Sequence, residues 1–205
     1  MSEEASKNIP SEPRTMTSPM LKAMANPLRR RIFATLAAMD FARAADLSER
    51  LDVPANSLSF HLRVLAEAGL IEEAPELARD RRDRVWRAMP GGLTIGSPEH
   101  PAQVDDQLAM NAYLTQQEQD QIRQLKAVIG WGRSYAAGSE NVQKGALNIT
   151  NLMLNDEEAE ELETLMLEAL REVKRKSIAN AGDGSKRRLW DVTVMMARED
   201  LLGGH

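Results

Sequence analysis

The chain has 205 residues, 42% hydrophobic and 28% charged, with a mean hydropathy of -0.43 and a net charge of -5. No apolar run approaches the ~20 residues that a spanning helix needs, and the polar start MSEEASKNIPSEPRTMTSP lacks the apolar stretch of a secretory signal. Cysteine is absent, which excludes disulfides, thiolate metal sites, a cysteine nucleophile and thiol redox switching. Only three histidines remain for acid–base or metal chemistry. The expectation is a cytoplasmic protein.

Net acidity argues against a nucleic-acid partner until its distribution is considered. Residues 1–19 carry -1, residues 20–92 carry +2 and residues 93–205 carry -6. Such a split suggests two functional parts.

Residues 1–17 hold Pro10, Pro13 and several Ser and Glu, and read as a disordered tail. Ser18-Pro19 is a cap-plus-proline start for a short helix with Met20, Leu21 and Met24. Asn26-Pro27 repeats the signal and opens a helix whose Leu28, Ile32, Phe33 and Leu36 share a face. A short helix follows near Ala44–Leu51, then a break at Asp52-Val53-Pro54. The next helix spans about Pro54–Ala68, with Leu58, Leu62 and Leu65 inward and polar residues largely off that stripe. Gly69 is its C-terminal cap. A hairpin is predicted from a strand near Leu70–Leu77, a charged tip ARDRRD at 78–83 and a return strand Arg84–Met89. Helices followed by a basic-tipped hairpin are the pattern of a winged helix-turn-helix.

Residues 93–103 read as a linker. Beyond it, residues 104–137 are predicted mostly helical. A strand is predicted over Ala146–Leu154, then a helix started by Asn155 with Glu158 three residues on. A second strand is predicted over Arg188–Ala197, where Trp190, Val192, Val194 and Met196 alternate. The class is therefore mainly α with small β (α+β). It joins a winged helix-turn-helix at 18–92 to an α/β extension at 104–205 that serves dimerisation and is the candidate place for a small-molecule effector.

The stretch NSLSFHLRVLAEAGLI (Asn56–Ile71) places Ser57, Ser59, His61-Leu62, Leu65 and Gly69–Ile71 in a characteristic order. With MANPLRRRIFATL upstream and the hairpin downstream, residues 18–92 resemble the arsenic-repressor (ArsR) family of winged-helix repressors. That resemblance implies a homodimer that binds a palindromic DNA operator and represses transcription. It also carries a departure. Metal-sensing members place cysteines where Arg43 and Ala45 stand here, so thiolate sensing is excluded. His100, Asp105 and Asp106 lack the spacing of a facing helical pair. No metal and no cofactor is implied.

Major-groove readout requires short hydrogen-bonding side chains on the exposed N-terminal part of a helix. Asn56 suits a bidentate contact to adenine, Ser57 and Ser59 suit phosphates or bases, and His61 and Arg63 suit phosphate or a guanine edge. Phe60 suits a thymine methyl or a dimer contact. The alternative for this face is a solvated helix surface, and for His61 a structural role inside the domain. Arg79, Arg81, Arg82 and Arg84 at the hairpin tip suit backbone phosphates. The alternative there is a surface loop of ion pairs, because Asp80 and Asp83 interleave. Arg29, Arg30 and Arg31 fit solubilising and DNA-binding roles equally.

In the second half, Asp156, Glu157, Glu158, Glu160, Glu161 and Glu163 crowd a helix start, where the helix dipole favours them. Met153, Met166, Met195 and Met196 with Trp131 and Trp190 suit a packed core better than an apolar ligand pocket. There is no phosphate loop, no Ser/His/Asp set and no HExxH, so catalysis is not expected. The reading is a sequence-specific DNA-binding transcriptional regulator, a dimeric repressor on an inverted-repeat operator. The rival is a winged helix used for protein contact.

Overall fold

The computed structural model describes residues 13–80, 84–97, 101 and 105–203. The chain divides into two compact units, Met1–Glu118 and Gln119–His205.

In the first unit, strand β1 (Arg14–Thr15) precedes helices α1 (Ser18–Met24) and α2 (Pro27–Met39). Strand β2 (Phe41–Arg43), helices α3 (Ala44–Leu51) and α4 (Ala55–Glu67), and strands β3 (Ile71–Glu73), β4 (Val85–Ala88) and β5 (Leu93–Thr94) follow. Helix α5 (Gln107–Ala136) begins in this unit. The α+β winged-helix class holds. The sheet runs β2-β4-β3 and both pairings are antiparallel.

Local chemistry explains most of the boundaries. Asn26 Oδ1 accepts from the Arg29 amide at 3.1 Å, capping α2 one residue before Pro27. The Asp46 carboxylate accepts from the Arg43 amide at 2.8 Å and secures the start of α3. Asp52 ends α3 in the left-handed region (φ 54), and Val53-Pro54 completes the turn into α4. Gly69 (φ 72) terminates α4, where Leu70 N–H returns to the Leu65 carbonyl at 3.0 Å. Leu21, Ile32, Leu36, Leu47, Leu58, Leu62, Leu65 and Ile71 form one buried core.

Three expectations need correction here. Order begins before residue 18: Arg14↔Leu93 and Thr15↔Thr94 pair in parallel, and Met16 is 1% exposed. The supposed tail therefore supplies a strand and a core side chain, and residues 93–94 are its partner rather than linker. Residues 1–12 lie outside the described residues. The first part of α5 also belongs with the winged helix, through Lys22–Asp106 at 2.7 Å and Arg30 Nη2 to Gln116 Oε1 at 3.3 Å. Finally, the first hairpin strand is shorter than predicted, because Pro75–Leu77 turns as a 3-10 helix. The strand β2 had no counterpart in the predicted elements.

The second unit contains the rest of α5 and helix α6 (Asp156–Ala179). Asn155 and Glu158 form the reciprocal cap read from sequence, at 2.9 and 2.8 Å. The strands predicted over Ala146–Leu154 and Arg188–Ala197 do not form: both segments run without ladder partners. Alternation alone cannot make a strand, because backbone groups need a neighbouring edge. Segment 188–197 instead meets α5 through side chains, with Gln124 Nε2 donating to the Asp191 carbonyl at 2.6 Å. Met153 is 99% exposed and Met195 75%, so neither joins the packed core expected there, whereas Met166 and Trp131 are half-buried. Among the described residues, no helix is long and apolar enough to cross a membrane.

Candidate nucleic-acid interface

The site is the outer face of α4 with the β3–β4 hairpin beside it. Leu58, Leu62 and Leu65 anchor α4 in the core. Helical periodicity then turns Asn56, Ser57, Ser59, Phe60 and Arg63 outward, and all five are exposed. Ser59 Oγ donates to the Ala55 carbonyl at 3.2 Å and Asn56 Oδ1 accepts from the Ser57 amide at 2.9 Å. Both side chains hold local hydrogen bonds. Phe60 is 58% exposed, an apolar ring among polar neighbours.

His61 is different from the other predicted contacts. It is half-buried, its Nδ1 is buried without a hydrogen-bond partner, and its ring meets Phe60 edge-on at 5.5 Å. Burial, reinforced by the Arg29 charge, lowers its pKa below the ordinary 6.5. The hydrogen bond that a structural role inside the domain would use is absent among the described residues.

On the hairpin, Arg79 and Arg84 are exposed. Arg84 pairs with Glu73 at 3.0 Å and lies 5.8 Å from the Trp86 ring centre. Arg87 bridges Glu72 at 2.7 Å and Glu76 at 3.0 Å, bracing the two strands. Arg81 and Arg82 lie outside the described residues, as does His100. Asp106 is engaged by Lys22 and by the Ala109 amide at 3.0 Å.

The three consecutive arginines separate into three environments, which composition could not distinguish. Arg29 clamps the end of α1, with Nε donating to the Ala23 carbonyl at 2.5 Å and Nη2 to the Lys22 carbonyl at 3.0 Å. Arg30 is only 7% exposed and donates to the Met24 carbonyl at 2.8 Å. Arg31 is exposed. Two of the three are thus structural, a role visible in sequence only as helical spacing from the apolar stripe.

A comparison with known protein families covers the helices that carry this face. Residues 24–74 match the model of a helix-turn-helix domain, a stretch that runs from the end of α1 through the wing's first strand. This region is a helix-turn-helix domain. No curated protein matches the chain. Among solved structures, the chain is similar to the C30AH42A mutant of Lactococcus lactis ZitR. The identity is 17% and the TM-score 0.33, over 72% of this chain and 73% of that one. The same mutant in apo form gives 17% and 0.33 over 72% and 82%.

Proposed function

We propose that the protein is a sequence-specific DNA-binding transcriptional regulator of the ArsR type, acting as a dimeric repressor. The single observation that supports this most is the outward set Asn56, Ser57, Ser59, Phe60 and Arg63 on a helix held by three buried leucines. A helix with that face enters the major groove, and two of them related by a two-fold read the halves of an inverted repeat. Arg79, Arg81, Arg82 and Arg84 contribute phosphate contacts from the wing. Any regulation acts through residues 104–205 and not through a metal: an effector shifts DNA affinity only by favouring one dimer arrangement over another, and without one this half serves to strengthen the dimer.

The test is selection from random duplex DNA with the purified full chain, followed by gel shifts across a salt series. An enriched inverted repeat with a steep log–log salt slope is the expected result. Absence of any enriched motif overturns it.

A second reading is favoured by the exposed Phe60 ring and the overall acidity: a winged helix that contacts protein. That module gives no retardation at low salt, so the same gel shifts separate the two.

A further inference from the structure

The β3–β4 hairpin joins the rest of the first unit at two roots. The chain enters it through Gly69, just after α4, and leaves it through Pro90-Gly91-Gly92 into β5. Arg14 holds both roots. Its amide donates to the Gly92 carbonyl at 2.8 Å, and its Nη2 donates to the Gly69 carbonyl at 3.1 Å. Two residues on, the Met16 amide donates to the Thr94 carbonyl at 2.8 Å while the Met16 side chain is fully buried. Met16 shares the core with Met20 and Leu21 of α1 and with Leu62 and Leu65 of α4. The β1 strap is thus fixed in the body of the domain by Met16 and clasps the hairpin by Arg14.

The hairpin's own bonds do not set its angle. Met89 N–H to the Leu70 carbonyl at 3.0 Å and the β3–β4 ladder close it internally, and a hairpin that tilted as a body would keep them. On the other side, β2 fastens β4 over Val85–Arg87, which leaves β3 as the outer strand of the sheet. Tilt about the β2–β4 seam is therefore opposed where Arg14 grips, at the outer root. Arg84 stands four residues before Ala88, about 13 Å of extended strand, so a tilt of about 15° would carry it about 3 Å. That is enough to part a guanidinium from a phosphate oxygen that it meets at about 2.8 Å.

We propose that Arg14 is a positioning residue for DNA binding: by clasping both roots of the hairpin it sets the angle at which the wing arginines meet the duplex backbone. This rests on the DNA-binding reading above and gives β1 a part in it. Leu58, Leu62 and Leu65 hold α4 in the core from its own inward face, so release of the clasp falls on the wing and spares base readout.

The full-length chain with Arg14→Ala tests this in gel shifts on the selected operator and on scrambled duplex. At about 0.15 M salt both should bind about 5-fold more weakly, the scale of one phosphate contact, with the log–log salt slope lowered by about one. Base preference should not change. Arg14→Lys, which keeps a donor for Gly69, should recover most of the loss. In a chain that already has alanine at Arg79, Arg81, Arg82 and Arg84, read at low salt, Arg14→Ala should have no further effect, because it acts through them. An undiminished effect in that background overturns the proposal.

The absence of cysteine allows a second readout without DNA. Leu77→Cys on the hairpin and Glu49→Cys on α3, both exposed positions, accept a pair of spin labels, diluted with unlabelled chain. The parent should give one narrow distance, and Arg14→Ala should broaden or shift it. Equal distributions overturn the proposal as well. If the parent binds no duplex, the DNA-binding reading fails and the phosphate part of this one with it. The spin-label distances still decide whether Arg14 holds the wing.

Discussion

Arg14 Nη2 donates to the carbonyl oxygen of Gly69 at 3.1 Å. This bond ties β1 to the residue that ends α4. Gly69 holds φ 72, and a Cβ there would meet Met20 Cε at 3.7 Å and Arg14 Nη2 at 3.9 Å. Space is ordinary; the backbone angle is what requires glycine. Gly69→Ala should therefore cost about 1 kcal/mol. Arg14→Ala should cost about 1–2 kcal/mol as a lost charge-assisted bond. Urea unfolding of the two variants checks both, and unchanged midpoints would contradict the clamp.

Neighbouring arginines should behave unlike one another. Arg30→Ala removes a buried guanidinium from the Met24 carbonyl and Gln116 and should destabilise by about 2–4 kcal/mol. Arg31→Ala, at an exposed position, should fall within about 0.5 kcal/mol of the parent. Thermal unfolding of the pair decides. Equal losses would mean that the burial of Arg30 contributes nothing.

His61 gives a pH dependence whose sign follows from its lowered pKa. Between that lower value and the unfolded 6.5, the unfolded chain holds a proton that the folded chain does not. Stability is then fully present above about 6.5 and falls as pH drops toward the folded pKa. His61→Gln should flatten this part of the profile. Melting temperatures of parent and variant across about pH 5 to 7.5 measure it, and parallel profiles would exclude the residue as the source.

DNA contacts should divide by location. Asn56→Ala and Arg63→Ala should relax base preference at particular operator positions, costing about 1–3 kcal/mol on the preferred sequence. Arg79→Ala and Arg84→Ala should weaken all duplexes alike and lower the salt slope by about one each. Binding isotherms on operator and scrambled DNA at several salt concentrations show which pattern each variant follows. A variant of Arg84 that changed base preference would place the wing in a groove and not on the backbone.

Sequence alone determined most helix boundaries of the winged domain, because they rest on local signals; the start of α1 departs, since Thr17 and not Ser18 holds the cap position and no side chain caps it. Asn26-Pro27, Asp52-Val53-Pro54 and Gly69 act within one turn of the residues they control, and Leu58, Leu62 and Leu65 mark an inward face by spacing alone. The outward set from Asn56 to Arg63 follows from the same period. Tertiary structure decided what depends on distant partners. Arg14 and Thr15 look like tail until Leu93 and Thr94 lie beside them, and Arg30 looks like Arg31 until Met24 and Gln116 receive it. Segments 146–154 and 188–197 alternate as strands do, yet they remain unladdered. A strand is a relationship between two edges, and the composition of one edge does not supply the other.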